Sequence, residues 1–203
     1  LRLNLISQKN HQQNCHAPRH GLTTPPSSAF IFWTMKITKI VSGAQTGADR
    51  GGLDAAVYCE LPYGGWVPKG RRAEDGEIPD TYTGLRETST RDYLARTEAN
   101  VVDSDATLVM ACGLPTGGTR KTCVFAEKHG RPHLVVNLAA DRKAATAMIV
   151  DWLASLPMPE GVLNVAGSRE SKVPGIQAAT QAVMIDVISR VNGKLFYPIG
   201  TKP

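Results

Sequence analysis

Three stretches of this sequence combine residue types that capture anions: Ser42-Gly43-Ala44-Gln45-Thr46-Gly47-Ala48-Asp49-Arg50-Gly51-Gly52, Cys112-Gly113-Leu114-Pro115-Thr116-Gly117-Gly118-Thr119, and Ala166-Gly167-Ser168-Arg169-Glu170-Ser171. Glycine lets a backbone N–H approach an oxyanion closely, and a helix N-terminus adds partial positive charge. Threonine hydroxyls donate hydrogen bonds, and an arginine fork matches phosphate or carboxylate. The chemistry implied is non-covalent capture of a phosphate-bearing small molecule. Neither G-K-[ST] nor G-x-G-x-x-G is present, so neither motif's phosphate geometry follows. Each stretch also has a plainer role: a tight turn after Val41, a helix cap at Thr116 or Thr119, a surface arginine at Arg169.

The candidate ligand-binding set is therefore Gly43, Gln45, Thr46, Gly47, Asp49 and Arg50 from the first loop, Thr116, Gly117, Gly118 and Thr119 from the second, and Gly167, Ser168 and Arg169 from the third. Lys69 and Arg71 join it from the segment Pro68 to Thr88, where Lys69, Arg71 and Arg72 precede Glu74, Asp75, Glu77 and Asp80. That segment reads either as a solvated loop that neutralises itself or as a flap delivering cations to a bound anion. Trp66 is expected to be buried rather than to stack on a base, and Cys112, with no second Cys or His nearby, to line the core rather than ligate a metal. No residue stands out as catalytic, and no metal-ligand spacing is present.

Positioning these loops requires parallel strands, because only then do all three reach one sheet edge with helix N-termini behind them. The pattern supplies them. Strands are expected at Ile37 to Val41, Tyr63 to Val67, Ala106 to Ala111, His133 to Leu138 and Val162 to Val165. Helices are expected at Asp49 to Glu60, Thr90 to Val102 with Thr90 as N-cap, Gly117 to His129, Lys143 to Ser155 and Pro174 to Val191. Alternating βα units imply an α/β, Rossmann-like three-layer sandwich with a mostly parallel sheet. Its three loops should line one cleft, with the N–H groups of Gly47 and Gly118 pointing in.

The chain of 203 residues carries a formal charge of +5, but Arg2, Lys9 and Arg19 stand in an acid-free first 34 residues. From Met35 onward 20 basic residues face 18 acidic ones, which leaves no field for nucleic acid or an anionic membrane. The longest apolar run, about five residues, is far short of a membrane span. Cys15, Cys59, Cys112 and Cys123 form no C-x-x-C pair, which fits free thiols in the reducing cytoplasm. Residues 1–34 read as a disordered, dispensable leader or upstream sequence, with Met35 as the expected start. They lack the arginine-rich amphipathic pattern of a transit peptide. Residues 35–193 form the expected ligand-binding domain and 194–203 a tail.

Taken in order, S-G-A-Q-T-G-A-D-R-G-G-L-D-A-A, G-G-W-V-P-K-G-R-R-A-E-D-G, R-T-E-A-N-V-V-D-S-D-A-T-L, P-T-G-G-T and N-V-A-G-S-R-E-S resemble the circularly permuted YpsA-like family of the SLOG superfamily, also labelled "putative molybdenum carrier". The resemblance implies a fold related to the Lonely Guy proteins, a nucleotide or molybdenum cofactor as bound ligand, and a homo-oligomer. It also implies that the G-S-R loop, which would follow the first strand in unpermuted relatives, here follows the last. Val67 stands where the family commonly has Cys. The favoured role is a binding or carrier protein; the alternative is a phosphoribohydrolase acting on a nucleotide. Against that alternative, the Lonely Guy motif P-G-G-x-G-T-x-x-E places Thr122 where the glutamate belongs. Glu87, Glu98, Asp49 or Asp105 would substitute only if the fold brought one to the sugar.

Overall fold

The computed structural model describes residues 34–139 and 141–194. The expectations for the leader and for the tail beyond residue 194 lie outside the described residues. In chain order the elements are β1 (Lys36–Val41), α1 (Ala48–Tyr58), β2 (Tyr63–Val67), β3 (Arg72–Ala73), β4 (Gly76–Glu77), β5 (Leu85–Glu87), α2 (Tyr93–Val102), β6 (Ala106–Ala111), α3 (Gly117–Lys128), β7 (His133–Asn137), α4 (Arg142–Ser155), β8 (Glu160–Gly167) and α5 (Ile176–Asn192).

Six strands form one sheet in the order β5-β2-β1-β8-β6-β7, with every pairing parallel. α5 packs between α1 and α4 on one face, and α2 packs against α3 on the other. The result is an α/β, Rossmann-like three-layer arrangement. β6 reads Ala-Thr-Leu-Val-Met-Ala and is buried along its whole length, as a central parallel strand must be when helices cover both faces. Ile37, Ile40, Leu53, Leu108, Met110, Leu163 and Met184 are sealed from solvent in the core between sheet and helices.

Placing β8 and α5 ahead of β1 in the chain would turn the strand order into 3-2-1-4-5, with β5 added at the edge, which is the doubly wound Rossmann order. The last strand of this chain thus occupies the central slot that a first strand normally fills. The crevice where the winding reverses lies between β8 and β6, and ligands of such sheets bind there.

The structure departs from expectation at several element ends. Asp92, not Thr90, caps α2, its carboxylate accepting from Leu94 N at 2.9 Å. Thr90 is drawn into the preceding loop, where its carbonyl accepts from Lys69 N. The segment 68–88 contains a short β3–β4 hairpin and the edge strand β5, too brief for periodicity to reveal. β8 extends from Val162 back to Glu160, because Glu160 and Gly161 pair with Lys36 and Ile37 of β1. α5 begins after Gly175, whose φ of 86° ends the turn, so Pro174 lies outside the helix. Among the described residues no helix is long and apolar enough to cross a membrane.

Candidate functional site

At the carboxyl ends of β1, β6 and β8 lies a cavity of about 580 Å³. All three glycine-rich loops reach it. Gln45 and Asp49 line it from the first, Thr116, Gly117, Gly118 and Thr119 from the second, and Gly167, Ser168 and Arg169 from the third. Gly43, Thr46, Gly47, Arg50, Lys69 and Arg71 are not among its lining residues.

The loop after β6 delivers α3 to the cavity with its N-terminus open. Thr116 stands at the N-cap without a side-chain cap bond, and no acidic residue occupies the first turn. A β-carbon added at Gly117 or Gly118 would meet nothing within 4 Å. The Thr119 hydroxyl donates to Gly167 O at 3.0 Å, tying α3 to the end of β8. The first N–H groups of a helix need acceptors from outside it, so this end is suited to an anion.

The loops after β1 and β8 are arranged differently. A β-carbon on Gly47, where φ is 86°, would lie 2.5 Å from Ser168 O, so this glycine lets two loops touch rather than admitting a ligand. One on Gly43 would lie 1.4 Å from Arg96 Nη1, because the Arg96 guanidinium rests on that backbone. The N-terminus of α5 is already served by protein: the Glu170 carboxylate accepts from Gly175 N and Gln177 N.

The segment 68–88 is docked through its acids. Arg50 donates to both Asp75 oxygens, at 2.6 and 2.9 Å. Glu74 accepts from the Thr46 hydroxyl and from Ser171 N and Oγ, with Arg169 Nη1 at 3.8 Å. Burial pushes the Glu74 carboxyl up, yet the Ser171 and Thr46 hydrogen bonds and the Arg169 charge outweigh it and hold the group below its ordinary range. The Arg50 hydrogen bonds likewise hold Asp75 down. Arg71 donates instead to the carbonyls of Ile78, Pro79 and Tyr82, closing its own loop. The segment neutralises itself in part, through Arg71 and Asp80 at 3.7 Å, but Glu74 and Asp75 pair with residues outside it, and Lys69 and Arg71 do not line the cavity.

Other expectations need correcting too. Cys112 is exposed at the cavity rather than core-lining, because β6 ends one residue before it. Trp66 is half-buried, with Arg86 4.2 Å above its ring and its indole N–H donating to Asp103.

Sequence reasoning missed the cavity's second wall. Tyr93, Arg96 and Asn100 of α2 line it, as do Asn164 of β8 and Lys172 beyond it. The signal was available: Tyr93, Arg96 and Asn100 are spaced i, i+3, i+7 and share one helical face. Arg96 Nη1 donates to Asp49 Oδ2 at 2.9 Å, both side chains being buried, and Asp49 Oδ2 also accepts from Gln45 N. Asn100 clasps Trp66, its Oδ1 accepting from Trp66 N and its Nδ2 donating to Trp66 O. Removing one partner of a buried pair such as Asp49–Arg96 typically costs about 3 to 5 kcal/mol, because the other charge is left buried and uncompensated.

Known proteins place this architecture. The sequence is similar over 46% identical positions to the "putative molybdenum carrier protein" of Syntrophus aciditrophicus SB, whose crystal structure at 1.45 Å superposes with a TM-score of 0.70, covering 76% of this chain and 96% of that one. A search of curated proteins gives no match. The model of the circularly permutated YpsA SLOG family matches residues 40–188, and with the reordered sheet and the three loops meeting at its switch point, the chain belongs to that family.

Proposed function

We propose that this protein binds a phosphorylated, nucleotide-like small molecule in the cavity between β6 and β8 and acts as its carrier. The observation that carries the proposal is the open N-terminus of α3, with Gly117 and Gly118 unobstructed and Arg169 and Lys172 lining the same cavity. A phosphate there meets helix N–H groups, the hydroxyls of Thr116 and Thr119, and two cationic side chains. A volume of about 580 Å³ falls in the range of small-molecule sites. Molybdenum cofactor, a phosphorylated pterin, and simple nucleotides both meet these requirements as cargo, and the name borne by the similar protein favours the first.

A carrier reading is favoured over a hydrolytic one by the carboxylates. Asp49 is the only acidic side chain among the lining residues, and it is held by Arg96 and Gln45 N. Thr122, at the position of the hydrolases' glutamate, lines the cavity with its hydroxyl donating to Gly118 O. Glycosidic cleavage needs a free anion beside the sugar. The test is native mass spectrometry of the gently purified protein, followed by titration with the released ligand. Arg169→Ala is expected to weaken binding about tenfold to a hundredfold, the loss of one charge-assisted hydrogen bond. Unchanged affinity, or release of free base from AMP, IMP or CMP above the buffer rate, would overturn the proposal.

A further inference from the structure

We propose that Tyr93, Leu94 and Leu114 form a ring-binding lip on this cavity, which takes the flat heteroaromatic part of a ligand whose phosphate sits at α3. The proposal rests on the reading above that the ligand carries a phosphate, and it names the part of the molecule that the site selects.

Among the described residues that line the cavity, Tyr93 is the one aromatic side chain, and it is half-buried. Its backbone is held in the first turn of α2: the Asp92 carboxylate caps the helix at Leu94 N, and the Thr97 hydroxyl donates to Tyr93 O at 2.8 Å. One and two turns further along the same face, Arg96 and Asn100 are pinned by Asp49 and Trp66, so Tyr93 is the exposed end of a fixed wall. Leu94 and Leu114 keep 41% and 91% of their surface, and both line the same cavity. A single exposed leucine is ordinary, but two on the cavity that holds Tyr93 make an apolar surface that the protein itself does not cover. Trp66, the residue whose type most invites stacking, does not line the cavity and already carries Arg86 over its ring.

Arg169 links this lip to the phosphate. Its guanidinium carbon lies over the Tyr93 ring, 5.6 Å from the centroid and near the outer limit of a cation–π contact, while its Nη1 is 3.8 Å from Glu74 Oε2. Tyr93 thus turns a ring face toward a cation that also lines the cavity, and that cation is held at long range on both sides. A phosphate offers Arg169 a shorter, charge-assisted hydrogen bond. Pairing with it draws the guanidinium off the ring face, which a planar heterocycle then covers. Thr116, Thr119, Arg169 and Lys172 supply the few polar groups that orient a ligand, and the lip supplies the apolar surface that such sites also need. Inorganic phosphate or a sugar phosphate would leave Tyr93, Leu94 and Leu114 in water. A nucleotide or a phosphorylated pterin buries them against a π-face.

The experiment is titration calorimetry of the full chain with AMP, ribose 5-phosphate and inorganic phosphate. AMP is expected to bind at least about tenfold more tightly than ribose 5-phosphate, the scale of stacking one base on an aromatic side chain. Tyr93→Ala should weaken AMP binding about tenfold and leave ribose 5-phosphate within about twofold, which also shows that the variant is folded. Tyr93→Phe should restore AMP binding, because stacking needs the ring and not the hydroxyl. Equal affinity of AMP and ribose 5-phosphate for the unmodified protein would overturn the proposal without any variant. A Tyr93→Ala protein that weakens both alike would overturn it too, since Tyr93 would then act only by positioning Arg169. In either case binding of inorganic phosphate would leave the anion site on α3 standing. Failure of all three probes would remove that site and this proposal together.

Discussion

A methyl group added to the glycines after β1 strikes protein, while one added to the glycines opening α3 meets open space. At Gly43, Gly47, Gly51 and Gly52 the new carbon would fall within 3 Å of Arg96, Ser168, Gln177 and Val165 respectively. At Gly113, Gly117 and Gly118 nothing lies within 4 Å. Both loops follow a parallel strand, both open a helix, and both contain G-x-x-x-G spacing with a threonine. Glycine serves the first loop by allowing elements to touch and the second by leaving room. The anion site proposed above therefore belongs to α3, and the β1 loop is the buttress that brings Gln45 and Asp49 to the cavity.

The comparison breaks most visibly at Gly47. Gly47→Ala should destabilise the fold by about 3 kcal/mol or more, since it combines overpacking against backbone with a strained positive φ. For a domain of this size that corresponds to a melting temperature lower by about 10 °C. A protein that melts within a degree of the parent would show that the β1 loop is not packed as described.

Gly118→Ala tests the other half. Alanine is a better helix residue than glycine and meets no atoms here, so stability should stay within about 1 kcal/mol of the parent or rise. Binding of inorganic phosphate should fall about tenfold, because the methyl group occupies the approach to the α3 N–H groups. Destabilisation matching that of Gly47→Ala would erase the distinction between the two loops.

The smallest effect concerns the docked segment 68–88. Glu74 and Asp75 have folded-state pKa values held below their ordinary 4.5 and 3.8, so their contribution is fully present above those values. It is lost as pH falls through the depressed values. Protection factors for hydrogen exchange across 68–88, corrected for the intrinsic pH dependence of amide exchange, should be high at about pH 5 and fall as the pH drops below the ordinary carboxylate range, ahead of those of the core strands. Protection factors that stay constant as the pH is lowered would show that the acids do not hold the segment.

The sequence by itself determined the parallel α/β architecture, because β-branched runs alternating with amphipathic stretches have few other solutions, and it determined which loops meet. Parallel strands carry their following loops to one edge whatever the details of packing, so Thr116 to Thr119 and Gly167 to Arg169 were legible as neighbours. What only the tertiary structure decided was which glycine leaves open space and which makes room for another part of the chain, since a missing β-carbon looks the same in either case. It also decided the wall contributed by Tyr93, Arg96 and Asn100. Helical spacing puts them on one face, but only the packing of α2 across β2 and against α3 turns that face toward Asp49. The acids of the 68–88 segment were visible as charge, yet their partners Arg50, Thr46 and Ser171 lie 25, 28 and 97 residues away. Contacts over such separations are set by how the chain folds back on itself, which local residue pattern does not encode.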